Sequence, residues 1–324
     1  MAINLTEIGW TDENGSLLGT WTNQSNVVSD DTAIIVAQDL TVNTLNGNDV
    51  INGDVNDSDN QSEGIRLDNY SQLNTNNGND TITGTGFDGF FLSVSSSINT
   101  GSGNDAITGT GFADGISSRG TINTGIGNDT IIASADGIVF NSDGTPTEGF
   151  GSTGLANFAG TIDTGNGDDN IIASGRISSI DNDNGTINTG NGNDTIIANS
   201  EEDEFFDVAI SNQSGTIDTG KGNDTIDALT GGFSDSDGSG LINLGQGDDL
   251  IRGFGDHQGN IDGGRGYDRA ELGFDYDETL ITFGSTNSTS IEITFDSATM
   301  SYTNIELFDF NGQTFSLESL QAMA

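Results

Sequence analysis

Nine aspartates recur at the end of a short glycine-rich phrase: Asp49, Asp80, Asp105, Asp129, Asp169, Asp194, Asp224, Asp249 and Asp268. A glycine stands two places before each of them: Gly47, Gly78, Gly103, Gly127, Gly167, Gly192, Gly222, Gly247 and Gly266. The residue between is Asn48, Asn79, Asn104, Asn128, Asp168, Asn193, Asn223, Asp248 or Tyr267. An Asn or Asp also lies six places before every Asp, from Asn43 to Asp262. These residue types suit one kind of chemistry. Glycine permits positive φ, so a turn can direct several backbone carbonyls at one point. The Asp adds a hard carboxylate oxygen. Ca²⁺ takes roughly six to eight oxygen ligands and accepts carbonyls readily. One turn cannot supply that many, but two stacked turns can. Nine copies therefore predict about eight Ca²⁺ sites between neighbouring turns, fewer where an insertion breaks the stacking. The candidate ligands are the nine Asp, the residues Asn104, Asn128, Asp168, Asn193, Asn223 and Asp248, and the glycines from Gly103 to Gly266. Asp49 and Asp80 are the weaker members, because Leu45 and Asn76 replace a glycine in their turns.

Something must hold these turns one above another. Successive motif Asp residues are 31, 25, 24, 40, 25, 30, 25 and 19 positions apart, so the unit is 24–25 residues with insertions. A helical spacing of apolar residues is absent, and each unit instead contains short β-like runs between Gly, Asn and Asp. In the unit from Gly120, runs at 121–124, 130–133 and 137–140 are separated by turns at 125–129 and 135–136. Three short strands per repeat describe one coil of a parallel β-solenoid, an all-β fold. Stacked coils put like positions about 4.8 Å apart. Ile98, Ile122, Ile162, Ile187, Ile217, Ile242 and Ile261 then form one interior ladder, extended by Val42 and Leu73. Ile82, Ile107, Ile131, Ile171, Ile196, Ile226 and Ile251 form a second. The Asn/Asp six places before the motif Asp reads first as a hydrogen-bonded ladder at the strand end, with a ligand role as the alternative.

Residues 1–28 lack the motif but contain Trp10 and Trp21, as an N-terminal cap would; the solenoid is expected over 29–271. From 272 to 324 the pattern alternates over 280–283, 290–295 and 305–310, as in a C-terminal β cap that protects the open end. The segments 141–158, with the one proline Pro146, and 201–204, with Glu201, Glu202, Asp203 and Glu204, read as surface loops.

Composition narrows the partners. There are 50 acidic residues against 7 basic ones, giving a net charge of −43. That excludes nucleic acid and disfavours an anionic membrane surface. So acidic and weakly apolar a chain resembles a disordered one until a cation neutralises it. Cysteine is absent, which rules out a disulfide scaffold, a thiol nucleophile and a Cys/His zinc site. No run is long enough to span a membrane, and residues 1–8 are not expected to be a Sec signal. The single histidine, His257, lies beside Asp256 and reads as a solvated loop residue.

The copy Gly263-Gly264-Arg265-Gly266-Tyr267-Asp268-Arg269-Ala270 resembles the nonapeptide G-G-x-G-x-D-x-U of the RTX, or hemolysin-type calcium-binding, repeat family. Other copies carry Thr at the first Gly in seven cases and Leu244 in one. The resemblance spans about 42–270. It implies a calcium-loaded β-roll or β-helix exported by a type I machine. Typical members repeat the nonapeptide back to back, whereas this chain has one motif per coil. That implies a single calcium edge on a wider solenoid, similar to the calcium-stacked solenoids of some bacterial ice-binding adhesins. Residues 308–320 resemble RTX secretion tails, and they read equally as a capping strand and helix. The expectation is an extracellular or cell-surface calcium-binding protein with a structural role, not an enzyme. Its candidate partners are calcium, other copies of itself end to end, and an extracellular polysaccharide. Two alternatives stay open: an adhesin for ice or glycan, suggested by pairs such as Thr121/Asn123 and Thr186/Asn188, and a carbohydrate-active enzyme on a β-helix.

Overall fold

The computed structural model describes residues 2–3, 27–30, 34–36, 38–55, 62–140, 146–200, 208–235, 238–277, 281–283 and 289–322. Trp10, Trp21, the acidic segment 201–204 and Leu280 lie outside them.

The chain is a parallel β-solenoid. Most coils contribute three strands, while Thr81–Leu92 and Ala106–Ser118 each run as one long strand over two of the three walls, and the walls pair in parallel from coil to coil. Thr121–Asn123 lies between Ser97–Asn99 and Thr161–Asp163, with Ile122 opposite Ile98 and Ile162. Thr130–Ala135 lies between Ala106–Ser118 and Asn170–Gly175, with Ile131 opposite Ile107 and Ile171. The sequence dictates this locally: in a three-residue strand such as Thr-Ile-Asn the outer residues face solvent and the Ile faces inward, as the period of two requires. Both expected isoleucine ladders are present and buried throughout. β-Branched side chains suit such walls, because one χ1 rotamer stacks on the next.

A third ladder closes the interior: Ile65, Phe90, Ile116, Leu155, Ile180, Ile210 and Phe233, all buried. Its distance from the motif Asp varies from coil to coil, so alignment on that Asp does not reveal it. One expectation is corrected here. The run at 137–140 is not the third strand of its coil. Ile138–Phe140 pairs antiparallel with Pro146–Gly151 as a separate hairpin, and Thr153–Asn157 takes the third-strand position opposite Ala106–Ser118. Only the later segment puts an apolar residue, Leu155, in register with Ile116.

At the C-terminal end the strands become antiparallel. Ile281–Phe283, Ser290–Phe295 and Ala298–Thr303 form a meander, and Leu307–Phe310 pairs with Gln313–Ser316. Residues 308–320 thus run through two strands into a five-residue helix, Leu317–Gln321, capped by Ser316. Tyr302 and Phe308 occupy the last rungs of the two isoleucine ladders, packed edge to face at 5.3 Å. Larger side chains at these rungs fill the end of the core that no further coil covers.

Candidate metal centre

The repeated turn is built the same way in coil after coil. In Thr-Gly-Ile-Gly-Asn-Asp (124–129), Gly125 has φ 95° and Gly127 φ 141°. The second glycine has another reason to be invariant. A Cβ on Gly127 would stand 1.7 Å from the Gly103 carbonyl oxygen of the coil below, and the same crowding, at 1.5–1.8 Å, recurs from Gly78 to Gly266. The carbonyls of these glycines therefore point along the axis at the next turn. No backbone N–H among the described residues donates to them, because the intercoil bond uses the neighbouring carbonyl, as in Gly103 N–H to Ile126 O at 2.8 Å. Leu45 and Asn76 take φ 68° and 70°, so the first two turns keep the shape despite lacking that glycine.

The nine Asp side chains turn inward and are buried. One oxygen of each Asp from Asp80 to Asp268 is already engaged, because the backbone N–H of each preceding Asp donates to its Oδ1. This holds across all eight gaps, at 2.7–2.9 Å, from Asp49 N–H to Asp80 through Asp249 N–H to Asp268. The 40-residue step from Asp129 to Asp169 is bridged like the rest, so that insertion does not break the stacking. The other oxygen, Oδ2, is buried without a hydrogen-bond partner in Asp80, Asp105, Asp129, Asp169, Asp194, Asp224, Asp249 and Asp268. In the first copy the Thr44 hydroxyl donates to Asp49 Oδ2 at 2.5 Å.

A column of buried threonines accompanies the aspartates: Thr44, Thr75, Thr100, Thr124, Thr164, Thr189 and Thr219. The sequence shows them only as substitutions at a glycine position. Most of these hydroxyls lie near the Asp five residues on and temper its pKa. From Thr75 onward the hydroxyl proton goes to a carbonyl on the next coil, as from Thr100 to Thr124 O at 3.1 Å. Asp Oδ2 is thus left without a donor. Burial is the main force on these carboxyls. It raises Asp169 and Asp249 to about 7, and Asp80, Asp224 and Asp268 to about 6, with neighbouring carboxylates adding repulsion. Asp105, Asp129 and Asp194 are raised in the same direction.

The other candidates separate from this row. Asn104, Asn128, Asp168, Asn193, Asn223 and Asp248 are exposed. Each side chain accepts the backbone N–H at the same place in the next turn, at 2.7–3.1 Å, and forms an outer ladder. The structure does not bring them together with the buried Asp oxygens. The Asn/Asp column before the turn forms the expected ladder in several coils. Asn99 donates to Asn74, Asn188 to Asp163 and Asn243 to Asp218, each at 3.1 Å. Asn43 and Asp262 also accept the backbone N–H two residues on.

His257 departs from its sequence reading. It is fully buried on the strand Asp256–Asp262, in register with Asp235 and Met300, and its Nδ1 lies 3.9 Å from Asp235 Oδ2. Burial lowers its pKa from the ordinary 6.5. It belongs to an interior polar column that sequence reasoning missed: Asn157, Asn182, Asn212, Asp235 and His257, all buried. Asn157 donates to Asn182 Oδ1 and Asn182 to Asn212 Oδ1, both at 2.8 Å, while Asp235 accepts the N–H groups of Gly238 and Gly240. A second acidic pair was equally hidden. Asp88 is raised to about 7 and Asp114 to about 6 by burial, and Asp114 N–H donates to Asp88 Oδ1 at 3.1 Å.

Among the described residues no three His, Cys, Asp or Glu side chains converge on one point. A gap between turns offers two carboxylates, so further ligands must come from backbone carbonyls. Ca²⁺ tolerates that donor set, whereas Zn²⁺ prefers nitrogen and sulfur. The unpartnered Oδ2 atoms and axial glycine carbonyls are hard oxygen donors, and they fit a hard cation.

No protein-family model and no curated protein matches this chain. Among solved structures it is similar to the crystal structure of a hyperactive, Ca²⁺-dependent, β-helical antifreeze protein from an Antarctic bacterium. Identity is 20%, 79% of this chain and 69% of that chain are covered, and the TM-score is 0.39. The antifreeze activity and the calcium dependence are that protein's.

Proposed function

We propose that this chain is a calcium-binding β-solenoid with a structural or surface-display role, in which Ca²⁺ between the turns allows the coils to stack. One observation carries the reading: eight successive motif aspartates bury a carboxylate oxygen that forms no full hydrogen bond, with at most a threonine hydroxyl beside it. Leaving a buried acceptor unpaired costs about 1–3 kcal/mol, and more for a charge. Eight such groups would cost about 8–24 kcal/mol, as much as or more than the roughly 5–15 kcal/mol of stability that a domain usually retains. Protons or a cation must neutralise the row, and at neutral pH a divalent cation neutralises two carboxylates at once. The resemblance of the turn to the RTX nonapeptide supports the same ion. It also supports export by a type I machine, with folding delayed until the chain meets extracellular calcium, because a ligand that binds only the folded state stabilises it by mass action.

The role is structural because the repeated residues are absorbed by core ladders and turns. A cavity of about 170 Å³ among the described residues, lined by Thr110, Ser134, Asp136 and Ser174 among others, has one carboxylate. Glycoside hydrolysis ordinarily uses two. The test of the calcium reading is far-UV circular dichroism during Ca²⁺ titration and EDTA reversal. A β spectrum should appear with calcium and collapse with EDTA; an identical spectrum and melting curve in EDTA would refute it.

Ice binding is a second reading with an observation of its own. The outward Ser97/Asn99, Thr121/Asn123, Thr161/Asp163, Thr186/Asn188 and Thr216/Asp218 pairs look irregular in sequence but lie in unbroken register across five coils. Their rows repeat about every 4.8 Å along the axis and about 6.6 Å along the strand. Thermal hysteresis of the calcium-loaded protein decides this reading: a measurable freezing gap supports it, and none at millimolar protein discards it.

A further inference from the structure

The carboxylate ladder does not end with the last glycine turn. Asp268 N–H donates to Glu306 Oε2 at 2.8 Å, the same bond that each earlier Asp N–H gives to the next Asp. Glu306 belongs to no copy of the motif and has Asn304 where a copy has glycine. It reaches this position because the cap coil takes a shorter path. Ile261 pairs with Tyr302 and Ala270 with Phe308, so six residue steps in the cap run beside nine in the last turn. The extra methylene of Glu over Asp spans the space that the tighter turn leaves.

The last turn also departs from its predecessors at one position. Where the others carry a threonine or Leu244, this copy has Gly263. A Cβ there would stand 2.7 Å from Asp268 Oδ2 and 2.1 Å from the Asn304 carbonyl oxygen. The missing side chain leaves a cradle bounded by those two oxygens and, at 2.9 Å, by the Ile305 Cδ1 methyl. Asp268 is fully buried, and its Oδ2 has no hydrogen-bond partner. The final gap therefore repeats the donor types of the others: a buried carboxylate oxygen, a carbonyl facing across the gap, and a second carboxylate from the following coil.

We propose that Asp268, the Asn304 carbonyl and Glu306 form one more divalent-cation site, between the last motif turn and the C-terminal cap. It rests on the calcium reading of the row and extends it to residues outside the repeat. The site clamps the cap to the solenoid. Glu306 N–H and Leu307 N–H both donate to Asp268 O at 3.1 and 3.0 Å, and Glu306 O receives Leu317 N–H, which opens the terminal helix, at 3.0 Å. A cation there ties solenoid, cap strands and helix through one residue.

Glu306→Gln separates a ligand from a simple hydrogen-bond acceptor, because it keeps an oxygen for Asp268 N–H and removes the charge. Calorimetric titration of the full chain with CaCl₂ should find one ion fewer in E306Q than in the unmodified protein. Equal stoichiometry would overturn the terminal site and leave the calcium reading standing; no binding by the unmodified protein would remove both. Hydrogen exchange of the unmodified chain gives a second measure should the variant fold poorly. Amides of 304–317 should gain protection with the last calcium equivalents. Exchange there that ignores calcium while the solenoid responds would also overturn the proposal.

Discussion

Two interior polar columns run along this solenoid, and they solve the same problem differently. The motif edge stacks carboxylates: each Asp from Asp80 to Asp268 uses one oxygen to hold the coil below and leaves the other buried and unpartnered. The second column, Asn157 over Asn182 over Asn212, stacks amides. Each amide brings a donor as well as an acceptor, so the rungs bind one another at 2.8 Å. An amide ladder is neutral and stands by itself. A carboxylate ladder accumulates charge at a spacing of about 5 Å, where each neighbouring pair repels by about 0.8 kcal/mol even at the dielectric of water. Under the proposed calcium reading the first edge takes an ion, and the second needs none.

The largest test exchanges the two chemistries. Asn182→Asp removes the donor to Asn212 and buries an uncompensated charge, which should cost about 3 kcal/mol or more. The melting temperature should fall at saturating calcium, and more calcium should not restore it. Asp129→Asn keeps an acceptor for Asp105 N–H and removes a charge from the row. It should lower calorimetric calcium binding while leaving the calcium-free chain as stable as before, or more so. Equal calcium dependence in the two variants would erase the distinction between the columns.

A smaller effect concerns pH. Burial raises Asp80, Asp224 and Asp268 from 3.8 to about 6 and Asp169 and Asp249 to about 7, so the folded chain holds protons that the unfolded chain has released. Without calcium, stability should therefore be highest near pH 4 and fall as pH rises through 7, with a melting shift of several degrees. With calcium the slope reverses below pH 7, because protons then compete with the ion. His257 works against the first trend. Its lowered pKa means that below about 6.5 the unfolded imidazole takes up a proton that the buried ring, beside Phe233 with Asp235 the facing acid, resists. His257→Leu should make the acid gain of the calcium-free chain steeper. A calcium-free melting temperature that rises from pH 5 to 7.5 would contradict the assignment of these carboxyls.

Much of the site could be read from residue order alone. The invariant Gly and Asp mark the turn, and the isoleucines two places beyond the Asp mark the strand that follows it. Other parts could not. The threonines look like imperfect glycines until the coils stack and each hydroxyl meets a carbonyl one turn on. His257 looks exposed beside Asp256, because nothing local says that its strand lies opposite Asp235. Glu306 carries no motif, and only the shortened path of the cap brings it under Asp268.

By itself the sequence determined what depends on short range and strict repetition: the 24–25-residue coil, the glycine turns that tolerate positive φ, the inward isoleucines and the acidic row. These follow from residue type at fixed spacing. The tertiary structure decided what depends on register between coils. That includes the antiparallel pairing of 138–140 with 146–151 while 153–157 continues the wall, the sorting of carboxylates inward and neighbouring Asn outward, and the closure of the ladder by Glu306. The reason is physical. Stacking brings together residues 19 to 43 positions apart with variable insertions between them, and only the shared hydrogen-bond register fixes which oxygen meets which donor.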